Sequence, residues 1–192
     1  MLKVENKIDF FLIKVVLVFS YFVSVSSVYS QASDEIEILL DQLAVVENGD
    51  DAILIRKKIW LMWLDGYNDR KIKTKIDTAL ELFNGGDLEK ADRAFSEIIK
   101  LEPEYVEGWN RRATLKFLLG DFRGSLDDIQ EVLKRQPRHF GAISGSGLIH
   151  MHNENFADAY KSYKKLFDID PHNEDSKRFL PILENKLFGK SL

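Results

Sequence analysis

The chain contains no cysteine. Disulfides, thiolate metal sites, a thiol nucleophile and a lipid-bearing cysteine are therefore excluded, although an oxidising compartment is not. Proline is scarce, with four in 192 residues. Positive charge is not in excess: 27 Lys and Arg stand against 31 Asp and Glu, a net charge of −4. No large basic surface is available to hold a phosphate backbone. What remains is globular, 45% hydrophobic and 30% charged, and long enough for one domain with its own core.

The first thirty residues differ from the rest. Lys3, Lys7 and Lys14 outnumber Glu5 and Asp9, the run Val15 to Val23 carries no charge, and small residues follow from Ser24 to Ser30. A positive end, a short apolar core and a small-residue cleavage site are the order of a secretory signal. Cleavage fits after Ser30 or after Ala32, so the expectation is a signal peptide over 1–30 and an exported protein. The alternative is an uncleaved anchor over residues 8–28 with the rest on the periplasmic side. A spanning helix needs about 20 apolar residues, which here would take in Asp9 and Lys14 or the serine-rich tail.

Further on, Pro103, Pro137 and Pro171 stand 34 residues apart. Each is preceded by an apolar stripe in the same register. The stripes are Leu88, Ala91, Phe95, Ile98 and Ile99; Phe122, Ser125, Ile129, Val132 and Leu133; and Phe156, Ala159, Tyr163, Leu166 and Phe167. The spacing i, i+3, i+7, i+10, i+11 is one face of an α-helix. Asp87, Asp121 and Asn155 open the three helices at one offset, as N-caps able to accept from the free N–H groups of the first turn. The prolines end them. A second helix precedes each, across a turn with Gly86 and then Gly120 suited to a left-handed C-cap. The third unit has Glu154 there, and Asn153 is expected to take the left-handed position in its place.

Helix–turn–helix at a period of 34 resembles the tetratricopeptide repeat. That family wants a bulky fourth residue, small eighth and twentieth residues, an aromatic twenty-fourth and proline at the thirty-second. Repeat 1, residues 72–105, matches at Ala79, Ala91, Phe95 and Pro103, with Lys75 departing at the fourth place. Repeat 2, 106–139, matches at Trp109, Ala113, Ser125 and Pro137, with Ile129 replacing the aromatic. Repeat 3, 140–173, matches at Ile143, Gly147, Ala159, Tyr163 and Pro171. The resemblance implies an all-α fold, a right-handed superhelical solenoid of antiparallel helix pairs. Residues 34–66 carry two further helical stripes and are expected as an N-terminal helix pair or cap. Residues 174–190 read as a C-terminal capping helix that Pro181 should kink or split.

No catalytic constellation stands out. His150 and His152 are two apart and point to different helix faces, unlike the i, i+4 spacing of a zinc pair, so no metal and no cofactor is expected. Gly141, Gly145 and Gly147 lack a preceding strand and a Gly-Lys-Ser/Thr ending, so they do not make a phosphate loop. Gly147 is the small crossing residue, while Gly141 and Gly145 leave a shallow place that serves either helix packing or the approach of a bound peptide. Trp60 and Trp63 read as core, with ligand stacking as the alternative. Asp127, Asp128, Glu102 and Glu104 read as solvated.

In this family the first helix of each unit lines a concave wall. Carried over, that wall takes Ile76, Leu80 and Phe83; then Glu107, Asn110, Arg111, Thr114, Phe117 and Leu118; then Ser144, Leu148, Met151 and His152. The carboxylate clamp of some members is missing, because Ile76, Leu80, Arg111, Gly141 and Gly145 occupy its positions. The resemblance thus implies a non-enzymatic protein-binding module or scaffold of a bacterial envelope, taking a protein or peptide segment in a mainly apolar groove. Two other readings stay open. One is RNA binding of the pentatricopeptide kind, against which stand a usual period of 35 and the acidic balance; the other is a docking subunit of an enzyme complex.

Overall fold

The computed structural model describes residues 33–64 and 70–189. The expected signal peptide over 1–30, and its alternative as an anchor, lie outside the described residues. Two compact units are present, Met1–Leu39 and Leu40–Leu192. Of the first, residues 33–39 are described, and they are helical.

All regular structure among the described residues is helical. Helix α1 covers 33–45. It is followed by α2 (Gly49–Leu64), α3 (Arg70–Asn84), α4 (Leu88–Leu101), α5 (Val106–Leu118), α6 (Phe122–Arg135), α7 (Phe140–His152), α8 (Phe156–Ile169) and α9 (Glu174–Phe188). From α3 onward each helix packs on the next, and α5 also touches α7. Neighbour-only contact is the signature of a solenoid. The pairs α3/α4, α5/α6 and α7/α8 are its units. Helices α3, α5 and α7 are the first of each unit, on the side that the family resemblance makes the inner wall; α4, α6 and α8 are the second.

The crossing positions explain the close approach of each pair. Ala79, Ala113, Ala91 and Ala159 are buried, as are Ser125 and the bulky Phe95, Ile129 and Tyr163 beside them. Ser125 Oγ donates to Ala113 O at 2.7 Å, satisfying a hydroxyl at the centre of repeat 2. Lys75, the departure from the pattern, is half exposed and lies 3.7 Å from Glu97, while Ile72, Ile76 and Ala79 supply the buried face of α3.

Several local expectations are corrected. Of the three N-caps, only Asp121 accepts from the helix, taking the Gly124 N–H at 2.9 Å. The residue three places on decides the outcome. A Cβ at Gly124 would come within 2.2 Å of Asp121 Oδ2, so in this geometry the carboxylate occupies the space that a side chain there would take. In the other units that place holds Lys90, which binds Asp87 Oδ2, and Asp158, which accepts from Asn155 Nδ2. Two unforeseen caps occur in the same register: His139 Nδ1 accepts from Ala142 N–H, and Asn173 Oδ1 accepts from Asp175 and Ser176 N–H.

The left-handed residue of the third turn is Glu154, with φ +56, not Asn153, whose φ is −83. Helix α9 is not split by Pro181 and is assigned as one helix from Glu174 to Phe188. Phe179 stacked on Tyr163 at 4.9 Å and Phe188 edge-on to Tyr160 at 5.4 Å hold both halves to α8. The helical pair ahead of the repeats also sits differently from a preceding cap: α2 lies against the inner wall.

Candidate functional site

The inner wall is in two parts. The first is covered by α2 and built on a buried polar platform. Glu107 and Asn110, on α5, are 1% and 6% exposed. Asn110 Nδ2 donates to Glu107 Oε2 at 3.0 Å. Arg111 Nε lies 2.6 Å from Glu107 Oε1 as an ion pair, with its N–H not aligned for a hydrogen bond. His139 Nε2 faces Glu107 Oε2 at 3.5 Å. Its other nitrogen accepts from the backbone, so a neutral ring carries its proton on Nε2. Asn110 is thus the group that hydrogen-bonds this buried carboxylate, while Arg111 pairs with it by charge and His139 Nε2 stands at 3.5 Å.

On the platform stand the α2 tryptophans. Trp63 stacks on His139 with centroids 4.0 Å apart and planes at 16°. Trp60 stacks on Phe140 at 5.7 Å and has the Arg111 guanidinium 5.5 Å from its ring centre, within cation–π range. Gly141 is what admits it, because a Cβ there would lie 3.0 Å from two Trp60 ring carbons. The shallow place made by Gly141 is thus filled from within the chain. One turn before Trp60, Arg56 Nε donates to the buried Asp170 Oδ2 at 2.7 Å. His172 Nε2 pairs with Val46 O at 2.9 Å, and Arg138 with Asp41 at 2.7 Å.

The second part is open. A cavity of about 110 Å³ lies between α5, α6 and α7, and Asn110, Thr114, Phe117, Gly145 and Leu148 are among the residues around it. Of these, Leu148 is 40% exposed. Of the residues the sequence places on the wall, this cavity brings together Asn110, Thr114, Phe117 and Leu148. Ile76 and Leu80 line a separate space of about 460 Å³ shared with Leu61 and Met62 of α2. Phe83 packs on the α3/α4 core. Ser144 is tied to α9, donating to Asp175 Oδ2 at 2.6 Å. His152 packs on Phe122 at 4.2 Å. Met151 is half-buried and Leu118 exposed on the ends of their helices.

One electrostatic expectation is corrected. Asp128 is not solvated but 2% exposed; Arg112 donates to both its oxygens at 2.8 and 2.7 Å, and Lys116 lies at 2.9 Å. The Asp128 carboxylate holds the Arg112 guanidinium above its ordinary pKa. Arg111 and Arg112 are therefore engaged by internal acids, and neither is a free docking cation.

No protein-family profile matches the chain. Among curated proteins it is 34% identical over 170 residues to a tetratricopeptide repeat-containing protein of Rhizobium etli, covering 83% of this chain and 78% of that one. The chain belongs to the tetratricopeptide-repeat proteins. Within that family it is also 31% identical over 110 residues to mouse tetratricopeptide repeat protein 4, spanning 28% of the latter's length. Among solved structures, the first repeat domain of Spaghetti (RPAP3) bound to an HSP90 peptide matches 62% of this chain and 95% of its own at a TM-score of 0.59 and 18% identity. MamA of Desulfovibrio magneticus RS-1 matches 82% of this chain and 84% of its own at 0.55 and 17%. These likenesses show the repeat fold. The α2 seat escaped sequence reading, although Gly141 at a wall position and a Trp-x-x-Trp pair were its two visible marks.

Proposed function

We propose that this tetratricopeptide-repeat protein is a non-enzymatic binding module that holds a segment of another protein on its inner wall and works as an exported protein of the bacterial envelope. The observation that carries the reading is the open cavity lined by Phe117 and Leu148, a mainly apolar recess in which Leu148 is 40% exposed. Mainly apolar recesses suit side-chain anchors of a helical or extended segment. The RPAP3 domain of similar fold is bound to an HSP90 peptide, which supports peptide binding as the class of activity. An acidic C-terminal tail does not suit this wall: Ile76, Leu80, Gly141 and Gly145 offer no cation, and Arg111 is already paired with Glu107. Export is supported by the order of charge, apolar run and small residues in the first thirty positions.

The test is crosslinking in native cells followed by capture. Phe117→Glu, with helicity checked by circular dichroism, should cut capture about thirty-fold, the loss of one hot-spot residue at ~2 kcal/mol. Undiminished capture contradicts the wall assignment. Intact mass of the same material should equal the chain cut after Ser30 or Ala32, whereas the full-chain mass contradicts cleavage.

A further inference from the structure

Helix α2 is attached to the wall as a ligand is, not as a repeat is. Its polar and aromatic grip is three side chains on one helical face, Arg56, Trp60 and Trp63, at i, i+4 and i+7, beside the fully buried Ala52 and Ile59. Each of the three meets a shaped receptor. Asp170 is a fully buried carboxylate that takes Arg56; Gly141 and Arg111 frame Trp60; His139 underlies Trp63. The receptors come from α5, α7 and the turns before α7 and α9, the wall on which the proposed function rests.

Although Ala52 and Ile59 are buried, part of α2 is unpacked. Ile53, Leu54 and Leu61 are exposed, a space of about 460 Å³ separates its end from α3, and the buried Trp63 indole N–H has no acceptor among the described residues. An orphaned buried donor is a standing cost. The seat also adjoins the open cavity, because Asn110 and Gly141 belong to both. A segment lying across seat and cavity would reach Phe117 and Leu148 as well.

We infer that the seat of α2 is a docking site for a partner α-helix carrying a basic residue and two aromatic residues at i, i+4 and i+7, and that α2 is its displaceable, tethered occupant. This rests on the reading of the inner wall as the binding face and deepens it. A tethered occupant competes at an effective concentration on the order of millimolar. A foreign helix prevails through contacts α2 does not make, those of the adjoining cavity. A second copy exchanging its own α2 gains no new contact, so below that concentration the closed single chain is favoured over the swap.

The probe is a fluorescein-labelled synthetic peptide of residues 49–64, added to the full chain. Wild type should bind it weakly. The chain carrying Trp60→Ala and Trp63→Ala should bind it at least ten-fold more tightly with its helicity retained, and Arg56→Glu should give an intermediate gain. The same peptide with both tryptophans replaced by alanine should not bind. Equal binding by wild type and variants, equal binding of the tryptophan-free peptide, or collapse of helicity in the double variant overturns the inference; the last would make α2 an integral core helix. A micromolar dimer with exchanged α2 overturns the foreign-helix assignment. Phe117 lies outside the seat, so the two readings fail separately. Peptide failure with the Phe117→Glu effect intact sinks this inference alone, and the converse sinks the broader reading alone.

Discussion

Glu154 occupies a backbone position that the other two units give to glycine, φ +56 against +80 at Gly86 and +81 at Gly120. The reason is the hydrogen-bond register. Asn155 N–H reaches back to His150 O at 2.8 Å, as Asp87 does to Leu82 at 3.0 Å and Asp121 to Lys116 at 2.8 Å. This closure fixes which residue must be left-handed whatever its type, and a non-glycine residue there costs roughly 1–2 kcal/mol. Glu154→Gly should therefore stabilise the fold by about 1 kcal/mol, raising the thermal midpoint by roughly 2–4 °C for a chain of this size. An unchanged or lower midpoint in a calorimetric scan would contradict that account. The caps obey the same local logic: Gly124 lets Asp121 fold over its helix, while Lys90 and Asp158 draw Asp87 and Asn155 away.

At the scale of the helix, the repeats and α2 are held by different means. Helices α5 to α8 share continuous neighbours and bury small residues against large ones, so they open only with the array. Helix α2 is held by Arg56, Trp60 and Trp63 beside the buried Ala52 and Ile59, and it leaves Ile53, Leu54 and Leu61 exposed. Amide hydrogen exchange should accordingly find the α2 backbone opening well before that of α6 and α7. Protection of α2 equal to that of α7 would contradict a displaceable helix. Helix α9 shows the opposite case. Pro181 removes a backbone donor from its middle, yet ring contacts on either side, Phe179 stacked on Tyr163 and Phe188 edge-on to Tyr160, keep it continuous.

Across the molecule, what the sequence made legible was what repeats. The 34-residue spacing of Pro103, Pro137 and Pro171, the three stripes and the small crossing residues are local patterns stated three times, and they carry the solenoid. The site was less legible because it is assembled from far apart. Arg56 meets Asp170 over 114 positions, and Trp60 and Trp63 meet Arg111, His139 and Gly141 across helices that no periodicity links. Buried Asp128 looked solvated because its pairing with Arg112 and Lys116 depends on how α5 crosses α6. Phe117 and Leu148, by contrast, are placed on the first helices by the family resemblance, and both line one cavity because α5 and α7 are in contact.

The most direct measurement of the central claim, that the inner wall binds the partner, compares in-cell capture by wild type, Phe117→Glu and Gln130→Glu. The two variants add the same charge, one on the wall and one at an exposed site on α6, the second helix of its unit. The account predicts that Phe117→Glu loses most of the captured partner while Gln130→Glu captures as wild type does. Equal capture by all three, or loss confined to Gln130→Glu, would contradict it.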